Sequence, residues 1–154
     1  MKTRFSIKSL FSIALSNLLF VVLISGNCNK DETPATKTEM ITSSNWRFEK
    51  ATASGFDVSS QVDACIKDNV ITFSANGTGT IVEGPIICVP PTASAFTWSF
   101  QSNETVLSLS TPLITGGSGN FTIVTLNQVN LAISQDMIIP PSPTPVTVVI
   151  TLKH

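Results

Sequence analysis

Apolar and polar residues alternate with a period of two through most of the chain beyond Ser44. Phe96, Trp98 and Phe100 share one parity, and Thr97, Ser99 and Gln101 share the other. Trp46 and Phe48 alternate with Arg47 and Glu49, Ile71 and Phe73 with Thr72 and Ser74, and Leu107 and Leu109 with Ser108 and Ser110. One apolar face at period two describes a half-buried antiparallel strand. The pattern predicts eight strands: 45–51, 70–74, 79–83, 96–101, 105–110, 120–126, 130–134 and 146–152. Short polar turns join several of them, with Asn76–Gly77 the strongest hairpin signal. Only 58–67 has a helical look.

Consecutive hairpins make a meander, and eight strands can close on themselves and so remove exposed sheet edges. The expected fold is all-β, a small up-and-down β-barrel, with a β-sandwich as the alternative. Longer connections fall at "GPIICVPPTAS", "TPLITGGSG" and "DMIIPPSPTP", where Pro140, Pro141, Pro143 and Pro145 stiffen the approach to the last strand. These connections are placed to cap one barrel mouth. With 154 residues and 42% hydrophobic content, one core-bearing domain plus extras is expected. Charged residues make up only 12%, which suits outward faces built from Ser and Thr.

The first residues read as an address. Lys2, Arg4 and Lys8 precede an apolar run from Leu10 to Ile24. That run is shorter than the roughly 20 residues of a spanning helix, so residues 1–27 read as a cleaved signal peptide. "LISGNC" resembles a lipobox, with Asn27 at a position usually held by Gly, Ala or Ser. Cys28 is therefore expected to carry acyl chains and to begin the mature protein, with the membrane as its partner. "CNKDET" resembles a surface-export signal of some Gram-negative lipoproteins. The expected location is the outer membrane, lipid-anchored and facing the cell surface, with a soluble periplasmic or extracellular protein as the alternative. Residues 28–43 are mostly polar and read as a flexible tether to a domain spanning 44–154. Loss of three basic residues with the signal leaves 6 against 10 acids, a mature charge near −4. Neither nucleic acid nor anionic headgroups suit that balance.

With Cys28 acylated, Cys65 and Cys88 remain as a pair in a compartment where disulfides persist, so a bridge between them is expected. Two buried thiols are the alternative. No His or further Cys lies nearby to complete a metal site. Around these cysteines stand Trp46 on the first strand, "ACIKDNVITF", "NGTGTIVEG" and "FTWSF". In order, Cys65, Asp68, Asn69, Phe73, Gly77, Glu83, Gly84, Cys88, Trp98 and Phe100 resemble the pattern of the lipocalin-like domain family of bacterial lipoproteins. The resemblance spans about Ser44 to Leu152 and implies a barrel-like domain on a lipid-anchored protein, with no activity to carry over. Two features depart from lipocalins proper. Ser44-Asn45-Trp46 lacks the Gly of their Gly-x-Trp, and no late Arg is present to pack over the Trp, Lys153 being the late basic residue.

Candidate chemistry is sparse. One histidine, His154, leaves little room for His-based catalysis. Asp57, Asp63, Asp68 and Glu83 lack calcium-loop spacing and read as turn and rim residues. "TGGSGN" lacks the Lys-Ser/Thr ending of a phosphate-binding loop, and Ser-x-x-Lys is missing. No enzyme activity, metal or cofactor is expected. The inward aromatic set Trp46, Phe48, Phe73, Phe96, Trp98 and Phe100 would form either a filled core or the lining of a pocket for one small hydrophobic ligand. Two functions follow: a lipid-anchored binding module, or a structural and interaction module of the envelope with a solid core.

Overall fold

A computed structural model describes residues 34–114, 116–139 and 143–154. Cys28, the expected signal and the first part of the expected tether, residues 28–33, lie outside the described residues. The chain from Ala35 to His154 forms one compact unit.

The strands are β1 (Trp46–Ala53), β2 (Phe56–Asp57), β3 (Val70–Phe73), β4 (Thr78–Val82), β5 (Ser94–Gln101), β6 (Val106–Leu109), β7 (Asn120–Leu126), β8 (Asn130–Met137) and β9 (Val146–Lys153). All pairings are antiparallel, in the order β2-β1-β3-β4-β5-β6-β7-β8-β9, and β1 also pairs with β9. Eight strands thus close an up-and-down barrel, as the alternation predicts, and β2 is a two-residue addition outside the ring. Closure pairs Phe48 with Leu152 and Ala51 with Ile150.

Short turns at 74–77, 102–105 and 127–129 lie at one end of the barrel. The connections 54–69 and 83–93, and the described parts of those between β6 and β7 and between β8 and β9, lie at the other, which forms the mouth. At Asn76–Gly77 only Gly77 has positive φ, +81°. Asn76 Oδ1 instead accepts from the Thr78 amide and hydroxyl, so the signal marks a longer turn than a two-residue hairpin.

The tether expectation needs correction at its C-terminal part, because Lys37–Thr42 is a helix, α1, at the short-turn end. Thr36 and Glu39 form a reciprocal capping box that satisfies the first amides. Ile41 is fully buried, and its carbonyl accepts the indole Nε1–H of Trp46 at 2.8 Å. The single apolar anchor and the cap outweigh the polar composition of the segment. The helical look of 58–67 resolves into a 3₁₀ turn, Ser59–Gln61, and one short helix, α2 (Ala64–Lys67).

The interior at the short-turn end is solid. Trp46, Phe73, Phe96, Trp98, Leu107, Phe121, Leu131 and Ile133 are all buried in one cluster. Phe73 meets Phe96 and Trp98 edge-on at 5.5 and 5.6 Å, and Trp98 meets Phe100 at 5.4 Å, the preferred T-shaped geometry. Gly79, opposite Phe96, faces inward, and the Phe96 ring occupies the space a side chain there would need. His154 stacks on Trp46 with ring centroids 3.8 Å apart and bridges Ser43 Oγ and the Asn45 carbonyl. A histidine thus covers the Trp face for which the sequence offers no late Arg.

Candidate functional site

The site begins with a broken pairing. β1 meets β3 only at Trp46↔Ile71 and Arg47↔Val70. Beyond Arg47, β1 continues to Ala53 while β3 has already begun, so the wall opens toward the mouth. A bulge between Phe48 and Lys50 shifts the phase of β1. Without it Lys50 would follow Phe48 inward; with it Ala51 does, and is 3% exposed. The small side chain leaves space where a lysine would have crossed the interior.

Residues 54–69 fold over this opening. β2 pairs with Thr52 and Ala53, the Val58 amide donates to the Ala51 carbonyl at 2.9 Å, and the Ala51 amide donates to Ser59 Oγ at 3.0 Å. Ser59 N in turn donates to Asp57 Oδ1 at 2.8 Å, and the Ser59 side chain foremost, with this amide, holds the Asp57 carboxyl below its ordinary value. Val58, Val62 and Ile66 then face the barrel from this segment. The Cys65–Cys88 disulfide, with Cα atoms 5.2 Å apart, ties α2 to the β4–β5 connection. The bridge therefore pins the outer wall of a cavity to the neighbouring connection at the mouth.

That cavity has a volume of about 370 Å³. Its floor and sides come from Phe48, Ala51, Ile71, Val148, Ile150 and Leu152, and its roof from Leu113, Ile114, Met137, Ile138 and Ile139. Polar lining is confined to Gln61, Asp63 and Asn69 among the described residues. Of the six inward aromatics expected from sequence, Phe48 lines the cavity. Trp46, Phe73, Phe96 and Trp98 belong to the solid core, and Phe100 packs against it. The barrel is filled at one end and hollow at the other, so core and pocket coexist along its axis.

A hydrogen-bonded chain braces the wall beside the cavity. Glu83 Oε1 accepts from the Thr92 amide at 2.7 Å, the Thr92 hydroxyl at 2.9 Å and the Cys88 amide at 3.2 Å. These donors, the Thr92 amide foremost, hold the Glu83 carboxyl below its ordinary value. Asn69 Nδ2 donates to Thr92 Oγ1 at 3.0 Å. The Asp68 carboxylate accepts from the Ile86 amide at 2.8 Å and lies so close to Gly84 that a side chain there would collide with it. Asp68, Asn69, Glu83, Gly84 and Cys88, scattered in sequence, form one structural unit. Reading Asp68 as a turn or rim residue misses this, because its partners lie in the adjacent β4–β5 connection, brought alongside by the β3–β4 pairing. Among the described residues no group of three or more His, Cys, Asp or Glu side chains is placed to hold a metal ion. No helix among them is long and apolar enough to cross a membrane.

No protein-family model matches the chain, and no curated protein sequence matches it.

Proposed function

We propose that the protein is a lipid-anchored envelope lipoprotein whose lipocalin-like barrel binds a small hydrophobic ligand at its mouth, without catalysis. The observation that carries this reading is the apolar cavity of about 370 Å³ at the end where the long connections gather. Ligand sites commonly run from about 300 to 1,000 Å³, apolar with a few placed polar groups. The attachment rests on the sequence, on Cys28 following an apolar run and small residues. The disulfide is in keeping with an oxidising compartment.

Native mass spectrometry of protein isolated from its own host tests the binding role: a retained small molecule is expected. Attachment is tested separately. Cys28→Ala is expected to move the protein from the membrane fraction to the soluble one, and persistence on membranes after a high-salt wash would contradict acylation.

A second reading, an interaction module, is favoured by one observation. Phe56, Ile86, Ile87, Val89 and Ile138 are exposed large apolar residues on the mouth connections, Val89 at 96% and Phe56 at 77%. Contiguous apolar surface marks interaction sites. Binding to a partner protein with the cavity empty would favour that reading.

A further inference from the structure

We infer that the cavity takes one unbranched alkyl chain, tail first, and sorts ligands by the length of that chain, with Ala51 keeping the passage clear halfway down. This rests on the reading of the cavity as a ligand site.

The long axis of the cavity follows β9. Leu152, Ile150 and Val148 line it at successive levels, and their β1 partners are Phe48, Ala51 and Ala53. Phe48 packs against the solid core and closes the inner end. From Leu152 to Val148 the strand advances about 13 Å, the length of an extended chain of about ten carbons. An eight-stranded barrel has an interior scarcely wider than its own side chains need. At the middle level Ile150 is paired with Ala51, the smallest side chain lining the cavity among the described residues. A larger side chain at 51 would block the passage there.

Nothing deep in the cavity recognises a head group. Among the described lining residues only Gln61, Asp63 and Asn69 are polar. Gln61 and Asp63 are exposed. Asn69 Nδ2 is bonded to Thr92 Oγ1, and Asn69 Oδ1 has less than 1 Å² of accessible surface. A polar end carried inside would give up water and gain no partner, so it stays at the mouth. Each methylene buried raises affinity about fourfold until the chain outruns the cavity.

Isothermal titration calorimetry of the secreted chain carrying Cys28→Ser, so that no acyl chain competes, tests this at pH 7. The length probes are 1-hexanol, 1-octanol, 1-decanol and 1-dodecanol. Decanoate, decyltrimethylammonium and cyclodecanol vary the head group and the shape at constant tail size. Affinity is expected to rise about fourfold per methylene up to about ten carbons and then to level off. Decanoate and decyltrimethylammonium should match decanol within about fivefold, and cyclodecanol should bind more weakly. Ala51→Leu is expected to move the levelling point down to about six to eight carbons while hexanol affinity stays within about threefold. Phe48→Ala, which lowers the floor, should move it up. The series on the Cys28→Ser chain decides the matter even if a further variant fails to fold. A rise unbroken through dodecanol, a head-group spread above about fivefold, or cyclodecanol binding as tightly as decanol would each overturn the inference and leave the ligand-site reading standing. A levelling point unmoved by Ala51→Leu would do the same. Binding of none of the probes would overturn both.

Discussion

Trp98 shows how much of the fold rests on single side chains. Its ring is 8% exposed, meets Phe73 and Phe100 edge-on, and donates Nε1–H to the carbonyls of Ser74 and Thr78 at 3.1 and 3.0 Å. One residue thereby joins the aromatic core to the β3–β4 turn. Truncating it removes that packing and both hydrogen bonds. Trp98→Ala is expected to destabilise the protein by about 3–5 kcal/mol in a denaturant titration. A loss under about 1 kcal/mol with the fold intact would contradict a solid core at this end. Glu83 gives a residue-scale prediction of another kind. Its folded value is depressed from an ordinary 4.5 by the Thr92 and Cys88 donors. A depressed carboxylate contributes stability that is present above the ordinary value and lost as pH falls through the folded one. Acidification is therefore expected to loosen the β4–β5 connection, read as lower protection factors for the Cys88 and Thr92 amides. Glu83→Gln should exchange rapidly at neutral pH and lose this acid dependence.

Among the elements, β1 and the 54–69 segment do most to make the cavity. The bulge turns Ala51 inward, early separation from β3 opens the wall, and the disulfide pins the covering segment. The bridge spans 23 positions and contributes about 3 kcal/mol in the chain-entropy model. Reduction is expected to lower stability by about that amount and to weaken binding of 1-decanol relative to the oxidised protein. Unchanged binding after complete reduction would show that the covering segment holds itself. At the opposite end, Ile41→Ala is expected to cost about 2–5 kcal/mol by thermal or chemical unfolding, because α1 contributes that fully buried side chain to the core. A flexible tether there would make the substitution neutral.

For the molecule as a whole, the barrel was legible in sequence because its signal is local. Each strand repeats every second residue, and sequential hairpins leave few alternatives to closure. Phe96, Trp98, Ile71 and Phe73 lie inside for that reason. The cysteine pairing was legible by elimination once Cys28 was assigned to lipid. Other features depend on relations no short window contains. α1 is held by a capping box and one apolar contact within a polar stretch, so composition alone reads it as tether. The β1 bulge changes the inward parity by pairing with β9, which lies a whole chain away. The cavity exists because connections far apart in sequence converge on one end, and His154 covers Trp46 only because the barrel closes.

The proposed function places a hydrophobic ligand in the mouth cavity, and not on the apolar rim around it. Titrating 1-decanol into methyl-labelled protein and following the spectrum by NMR tests this most directly. The account predicts saturable shifts at Ile66, Ile71, Val148 and Ile150, which line the cavity, with the aromatic core undisturbed. Shifts that never saturate, or that are confined to exposed Ile87 and Val89, would contradict it.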